Sequence, residues 1–250
     1  MVSKISFRWV LVAVAAVVGL VPLTAQDALR VRIIPAASYV SDASPAGEAL
    51  ATFLSTDTPA PLGAQFTSET VLIRFILPTP DYAATEVGDA SNGYALSVGR
   101  TDEAVARFHI SQPVIEAISA RPDGVELPST LNQALSFWSL LATNARPTSA
   151  VEVSVDGYRA LMSIVPNAAP SSTYTTLVVV DMGESYTLIS IDDSTDESLS
   201  SDLQTLSVIV SSLDLNGDGK VSPAPAVVAP EATVEPEATV EPEATAIVVP

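Results

Sequence analysis

Residues 151–165 read VEVSVDGYRALMSIV, and this stretch decides the fold of the second half of the chain. Polar and apolar side chains alternate on both sides of Asp156-Gly157, as they do in half-buried β-strands. A two-residue Asp-Gly loop is typical of a tight hairpin turn, because both residues accept positive φ angles. The stretch therefore predicts a β-hairpin with one face in the core.

Two more strands follow the hairpin. A Pro/Ser loop leads to a predicted strand at residues 174–181, and a short turn leads to another at residues 185–192. Turns this short join antiparallel neighbours, whereas parallel strands need long crossover connections. The four strands therefore predict an antiparallel sheet.

Helices are predicted on both sides of these strands. Thr130 and Gln133 form a capping-box pattern that begins one helix, and Ser194 and Glu197 form a second pattern of the same kind. After the second pattern, one apolar stripe recurs at helical spacing. The stripe consists of Leu199, Leu203, Leu206, Val210 and Leu213. We therefore predict an α+β fold, an antiparallel sheet covered by helices as in an α-β-α sandwich.

The first half of the chain is less regular. Its runs rich in β-forming residues predict strands at 31–34, 38–40, 70–77, 94–99 and 104–110, and its helices are predicted at 45–55 and 113–120. Residues 78–93 are predicted to be a loop, because Pro, Gly and Asp are frequent there. We interpret residues 26–213 as one domain, and a boundary near residues 121–127 is the alternative.

Part of the second half resembles a known family. The stretch STLNQALSFWSLLATNARPTSAVEVSVDGYRALMSI begins at Ser129 and contains a DGxxA turn, and the last helix ends on a Ser-Leu pair. The residues that carry these features are Asp156, Gly157, Ala160, Ser212 and Leu213. Over residues 129–213 the chain resembles the C-terminal half of the PsbP-like superfamily. The resemblance implies an α-β-α sandwich and an exported binding or assembly role without catalysis.

Residues 1–25 have the composition of a secretory signal. Lys4 and Arg8 precede an uncharged apolar run that ends at Leu23, and the small residue Ala25 follows. The alternative is an uncleaved anchor, but a spanning helix needs about 20 apolar residues, and this run is shorter and contains a proline. We therefore predict cleavage, no membrane insertion afterwards, and a secreted or otherwise extracytoplasmic protein that is released or held at the cell surface.

The charge balance excludes one class of partner. The chain has 11 Lys and Arg against 29 Asp and Glu, and its formal net charge is −18. Such a field repels phosphate backbones, so we predict no nucleic-acid binding. The absence of cysteine excludes disulfides, thiolate metal sites and a lipid-modified cysteine.

Residues 223–250 form a low-complexity tail. From Pro230 the chain reads PEATVE, PEATVE and PEATAI, with proline and glutamate at fixed places. Regular proline and like charge cannot form a packed core, so we predict a disordered, extended segment. Its functional interpretation is a spacer between the domain and a surface, or a binding site for a partner; the alternative is a solvated end without a specific role.

Residues 214–222, at the junction with the tail, read DLNGDGKVS and match the first part of an EF-hand-type calcium loop. Oxygen side chains on alternate residues and a glycine at the sharp turn are the pattern that wraps one ion. The predicted Ca²⁺ ligands are Asp214, Asn216, Asp218, the Lys220 carbonyl and Ser222. The last position of the loop is Pro225 where a bidentate acid belongs. A polar exit from the last helix is therefore the alternative.

No residue pattern indicates catalysis. His109 is the one histidine of the chain and lies in a predicted strand, without a G-x-S-x-G or H-E-x-x-H motif. Trp138 shares a helix face with leucines and is predicted to lie in the core; a platform on which a ligand stacks is the alternative. Five acids near the start of the last helix are interpreted as a solvated helix cap. They are Asp192, Asp193, Asp196, Glu197 and Asp202.

Three functions remain in order of preference. The first is an exported, non-catalytic binding or assembly module that contacts an unknown protein or small-molecule ligand through its sheet or loops. The second is a calcium-dependent cell-surface structural or assembly protein that uses residues 214–222. The third is a hydrolase that uses carboxylates, which would need two acids at a set separation in a cleft.

Overall fold

The computed structural model describes residues 31–89, 93–112 and 128–217. Within these ranges the chain forms strands and helices that alternate irregularly along the sequence. The strands are β1 (Arg32–Pro35), β2 (Gln65–Thr67), β3 (Arg74–Ile76), β4 (Tyr82–Asp89), β5 (Gly93–Arg100), β6 (Phe108–Gln112), β7 (Ser149–Val155), β8 (Tyr158–Pro166), β9 (Tyr174–Asp181) and β10 (Tyr186–Ser194). The helices are α1 (Pro45–Ser55), α2 (Leu131–Thr143) and α3 (Leu199–Ser211). The predicted α+β class is confirmed.

Eight strands form one sheet in the order β1-β7-β8-β9-β10-β6-β5-β4, and β2 pairs with β3 in a separate hairpin. Neighbours in the large sheet are antiparallel except at one edge, where β1 runs parallel to β7. The prediction of a wholly antiparallel sheet is wrong there. Residues 36–148 lie between β1 and β7, and they supply the long connection that a parallel pair needs.

The predicted Asp-Gly hairpin is confirmed. Asp156 and Gly157 have φ angles of 51° and 76°, and Val155 pairs with Tyr158 across the turn. Both central residues therefore adopt the left-handed conformation that the twist of the two strands requires.

Each face of the sheet has its own apolar core. Along β8, Ala160 and Met162 contact a core shared with α1, α3 and β3, whereas Leu161 and Val165 contact a core shared with α2. Trp138 is buried in the second core with its ring edge-on to Phe137, which confirms the prediction that it is a core residue. The period of two along the strands therefore produces two helix-covered faces.

Helix α2 covers only part of its face. It packs on β8 and β9, while β4 and β5 carry exposed side chains on that side of the sheet. These side chains are Ala83, Thr85, Val87 and Ala95. We call them the exposed sheet face. No helix in the described ranges is long and apolar enough to span a membrane.

The helix starts follow the capping chemistry of the sequence, with one correction. Ser44 caps α1 by accepting from the Gly47 backbone N–H, and Thr130 caps α2 by accepting from that of Gln133. The second capping box was predicted one residue too early. Thr195 and Ser198, rather than Ser194 and Glu197, exchange reciprocal side-chain to backbone hydrogen bonds before α3.

The first half matches the prediction unevenly. Helix α1 has the predicted bounds, and β1, β5 and part of β6 lie where strands were predicted. The predicted loop 78–93 is wrong because it contains β4, and the predicted strand 70–77 is reduced to β3. The predicted strand 38–40 is also wrong, because a short 3-10 helix at Ala36–Ser38 follows β1 directly. Residues 1–25, the predicted helix 113–120, the alternative boundary at 121–127 and the tail 223–250 lie outside the described residues.

Candidate functional site

Two of the five predicted calcium ligands lie in the described part of the chain. Asp214 is buried, and its Oδ1 accepts hydrogen bonds from the backbone N–H groups of Asn216 and Gly217 at 3.2 and 2.7 Å. Its Oδ2 lies 2.5 Å from Nε of Arg74, so a guanidinium is the cation on this carboxylate. Asn216 contacts this carboxylate through its backbone N–H.

The other three predicted ligands, Asp218, Lys220 and Ser222, lie outside the described residues. Among the described residues, no group of three or more His, Cys, Asp or Glu side chains is placed to hold a metal ion. The calcium site therefore stays a prediction. What the geometry does show is an anchor, because the Leu215 N–H donates to Asp156 Oδ2 at 2.8 Å and ties the exit of α3 to the β7–β8 turn.

The interpretation of Asp202 as part of a solvated helix cap is wrong. Its side chain is buried and accepts two hydrogen bonds from Arg107, at 2.9 and 2.8 Å. The hydroxyls of Ser194 and Ser198 donate to the same carboxylate at 2.7 and 2.8 Å. Four donors satisfy this buried charge, so the cluster joins the approach to β6 to α3 and serves structure. Arg107 is 95 positions away in sequence, which is why the local pattern did not reveal it.

A row of three polar side chains crosses β5, β6 and β10. The Oγ atom of Ser97 lies 3.1 Å from Nδ1 of His109, and Nε2 of His109 lies 3.4 Å from Oδ2 of Asp192. Burial lowers the pKa of His109 from 6.5 to about 4, with the Ala106 backbone acting in the opposite direction. Burial raises the pKa of Asp192 from 3.8 to about 7, and the charge of Asp193 adds to this shift.

These properties do not suit nucleophilic catalysis. A base that activates a serine needs a pKa near the working pH, and burial makes His109 a much weaker base than that. An orienting carboxylate must be ionised to stabilise an imidazolium, whereas the pKa of Asp192 is raised to about 7. Both shifts favour the neutral forms, so we describe the contact at 3.4 Å as one between neutral groups rather than an ion pair. Asp192 is also buried, so its interpretation as a solvated cap is wrong.

A polar groove lies between α1 and α3. Its volume is about 240 Å³. One wall comes from the end of α1 and the residues after it, and the other comes from the polar side of α3. The lining side chains are five hydroxyls, one amide, one carboxylate and one ring: Thr52, Thr56, Ser200, Ser201, Ser207, Gln204, Asp57 and Phe53. We call this feature the α1–α3 groove.

Local backbone contacts orient three of the five hydroxyls in the α1–α3 groove. Thr52 donates to the Glu48 carbonyl at 2.9 Å, Ser201 to that of Ser198 at 2.8 Å and Ser207 to that of Gln204 at 2.7 Å. Each of these three hydroxyl hydrogens is donated within its helix, so the oxygen can interact further only as an acceptor. Ser207 is 7% exposed and lies at the bottom of the groove, while Thr52 and Ser201 are exposed.

Sequence reasoning did not identify this groove. The leucine stripe of α3 was recognised, but the polar residues between the leucines were not interpreted. A signal was present, since Ser200, Ser201 and Gln204 share the side of α3 opposite the core. The partner wall, around Thr56 and Asp57, comes from a segment with no pattern that links it to α3.

No protein-family model matches the chain, and no match is found among the curated proteins. The resemblance to the PsbP-like superfamily therefore stays a prediction.

Proposed function

We propose that the chain is an exported, non-catalytic binding module that holds its ligand in the α1–α3 groove. The groove is the observation that carries this proposal. It combines a concave shape with hydroxyl and amide side chains that form hydrogen bonds, carry no charge and are weak nucleophiles, beside the single carboxylate of Asp57.

The reactive groups elsewhere support a role without catalysis. Asp202 and Asp214 are each bound to an arginine, and burial makes His109 a weak base. An enzyme needs a nucleophile, a base and a stabilising group that all contact the substrate. These side chains instead form ion pairs or lie buried in the domain.

The sequence supports the exported location. The signal-like residues 1–25 indicate secretion, and the tail 223–250 would hold the domain away from the surface to which it is attached. Helices on both faces of the sheet agree with the α-β-α sandwich that the PsbP-like resemblance implies, and that superfamily is the source of the binding or assembly role in the proposal.

Native mass spectrometry tests the proposal on the protein as its own cells process and export it. We expect a mass above that of the bare chain after incubation with concentrated culture medium, from a bound small molecule. Ser200→Trp should abolish this excess mass, because an indole at that position fills the groove. Thr85→Trp is the matched control, since it places the same side chain on the exposed sheet face.

The outcomes separate the candidate surfaces. Loss of the excess mass only in Thr85→Trp would move the binding surface to the exposed sheet face. A bare mass for the unchanged protein, also after incubation with concentrated culture medium, would contradict small-ligand binding. Turnover of a substrate that stops in Asp192→Asn would contradict the non-catalytic role.

A further inference from the structure

We propose that the α1–α3 groove binds one ring of a neutral carbohydrate; this rests on the proposed binding function and adds the class of ligand. The argument uses the hydrogen-bonding character of the groove, its charge, its one aromatic ring and its size.

The hydrogen-bonding character comes first. The hydroxyl hydrogens of Thr52, Ser201 and Ser207 are donated to helix carbonyls, so their oxygens remain as acceptors. The carboxylate of Asp57 adds further acceptors, while the amide of Gln204 and the hydroxyls of Thr56 and Ser200 can both donate and accept. Acceptors predominate in this lining, so a complementary ligand must supply several donors and also accept from the remaining amide and hydroxyl groups; each free hydroxyl of a sugar does both.

Charge excludes anionic ligands. No lysine or arginine lines the groove, and the chain has a formal net charge of −18. A phosphate, sulfate or carboxylate would meet acceptors and a repulsive field. A cationic ligand would find one negatively charged partner in the groove, the carboxylate of Asp57. This carboxylate is exposed, and an ion pair between exposed charges is weak in water. A neutral donor-rich molecule fits both conditions.

Phe53 supplies the apolar contact that a sugar ring uses. Its side chain is half-buried against the core and also lines the groove. Part of the ring therefore remains available at the wall. An aromatic face beside polar groups suits a ligand with an apolar C–H face and a hydroxylated rim, as a pyranose has.

The size limits the ligand to one ring. A volume of about 240 Å³ corresponds to roughly eight water molecules at about 30 Å³ each. Pockets for drug-sized ligands are larger, at roughly 300–1,000 Å³. One unit of a glycan therefore fits while its neighbours stay in solvent, and we expect a Kd on the order of 1 mM.

The experiment is a titration of the isotope-labelled protein, as its own cells process it, followed by amide chemical-shift changes in NMR spectra. The probes are cellobiose, maltotriose and N,N′-diacetylchitobiose, each to about 50 mM, which is well above the expected Kd. Spermidine is the cationic comparison. We expect at least one sugar to shift amides of residues 52–57 and 200–207.

Two serines of α3 provide a matched pair of variants. Ser201 lines the groove and Ser211 does not, yet each donates to a carbonyl three residues earlier, at 2.8 and 2.9 Å. Ser201→Ala should weaken sugar binding about fivefold, as expected for one lost hydrogen bond. Ser211→Ala should leave the Kd unchanged.

The results that overturn the inference differ from those that overturn the function. Absence of shifts with all three sugars, or equal weakening by both serine variants, would overturn it. Shifts with spermidine alone, weakened by Asp57→Asn, would replace the carbohydrate with a cationic ligand and leave the binding function intact. Shifts with a sugar that are confined to the exposed sheet face would overturn the groove as the binding site and leave the binding function intact.

Discussion

The burial of His109 and Asp192 predicts two opposite pH dependences of the free energy of unfolding, one from each residue. Folding raises the pKa of Asp192 from 3.8 to about 7, so the folded state binds an additional proton between these values. The free energy of unfolding contributed by Asp192 therefore falls as the pH rises through this window. Folding lowers the pKa of His109 from 6.5 to about 4, so its contribution rises with pH between these values.

The two contributions oppose each other where the windows overlap. Between about pH 4.5 and about pH 6 the pair carries one proton in both states, on the carboxyl when folded and on the imidazole when unfolded. Each residue alone would change the free energy of unfolding by about 2 kcal/mol over this range. Together they nearly cancel. Solvent screens these shifts only in part, because the exposed fractions of the two side chains are 17% and 11%.

Single substitutions should reveal the pH dependence that each residue contributes to the free energy of unfolding. In Asp192→Asn the histidine acts alone, so the free energy of unfolding should rise by about 2 kcal/mol between about pH 4.5 and about pH 6, relative to the unchanged protein. In His109→Asn it should fall by about 2 kcal/mol over the same range. The double variant should show the pH dependence of the unchanged protein. Comparison with the unchanged protein cancels the titration of the other acids.

The assay is urea unfolding at a series of pH values, followed by the fluorescence of the buried Trp138. The control is Asp102→Asn, which removes an exposed carboxylate that contacts Arg100. Single variants with the slope of the unchanged protein would refute the reasoning, as would slopes of the same sign for both variants.

Three further predictions concern stability and ion binding. Asp202→Ala should lower the free energy of unfolding by about 3–5 kcal/mol in urea titrations, because it leaves Arg107 without the carboxylate that binds it; an effect as small as that of the exposed Asp102→Asn would contradict the buried pair. Gly157→Ala should lower the free energy of unfolding by about 1–2 kcal/mol, because a φ of 76° is strained for any residue that has a Cβ. The strain would come from the backbone alone, since no atom lies within 4 Å of a Cβ added at this position. Stability equal to that of the unchanged protein would show that the turn adapts. Calcium should leave the midpoint of thermal unfolding unchanged, because Arg74 is the cation on Asp214; a rise that is lost in Asp218→Ala would instead support the predicted calcium loop.

Elements with local chemical signals could be predicted from the sequence. Helix α1 has the predicted bounds, and the structure shows the local reason, because Ser44 caps its start and Pro45 fits the first helical position. The β7–β8 hairpin was predicted because its turn chemistry and its alternation agree. Strand β4 was missed. Its residues YAATEVGD include alanine and glycine, which favour strands weakly, and pairing with β5 along its length decides its conformation.

The candidate site was beyond local reasoning for the same reason. The α1–α3 groove joins residues near position 55 to residues near position 204, and each set is ordinary polar surface by itself. The burial of Asp202 could not be predicted locally either, because the arginine that binds its carboxylate, Arg107, comes from a distant segment. The parallel position of β1 also depends on where the rest of the sheet lies.

By itself, the sequence determined the composition-dependent properties and the short-range structure: the acidic charge, the α+β class, the turns, the caps and the amphipathic faces. The turns, caps and amphipathic faces depend on residues within about one helical turn or hairpin of each other, and residues so close in sequence are also close in space. Only the tertiary structure decided which acids are buried, which strand pairs in parallel and which polar faces meet in a groove. Those properties depend on contacts between distant segments, and burial changes the energy of a polar group according to the partners that packing brings to it.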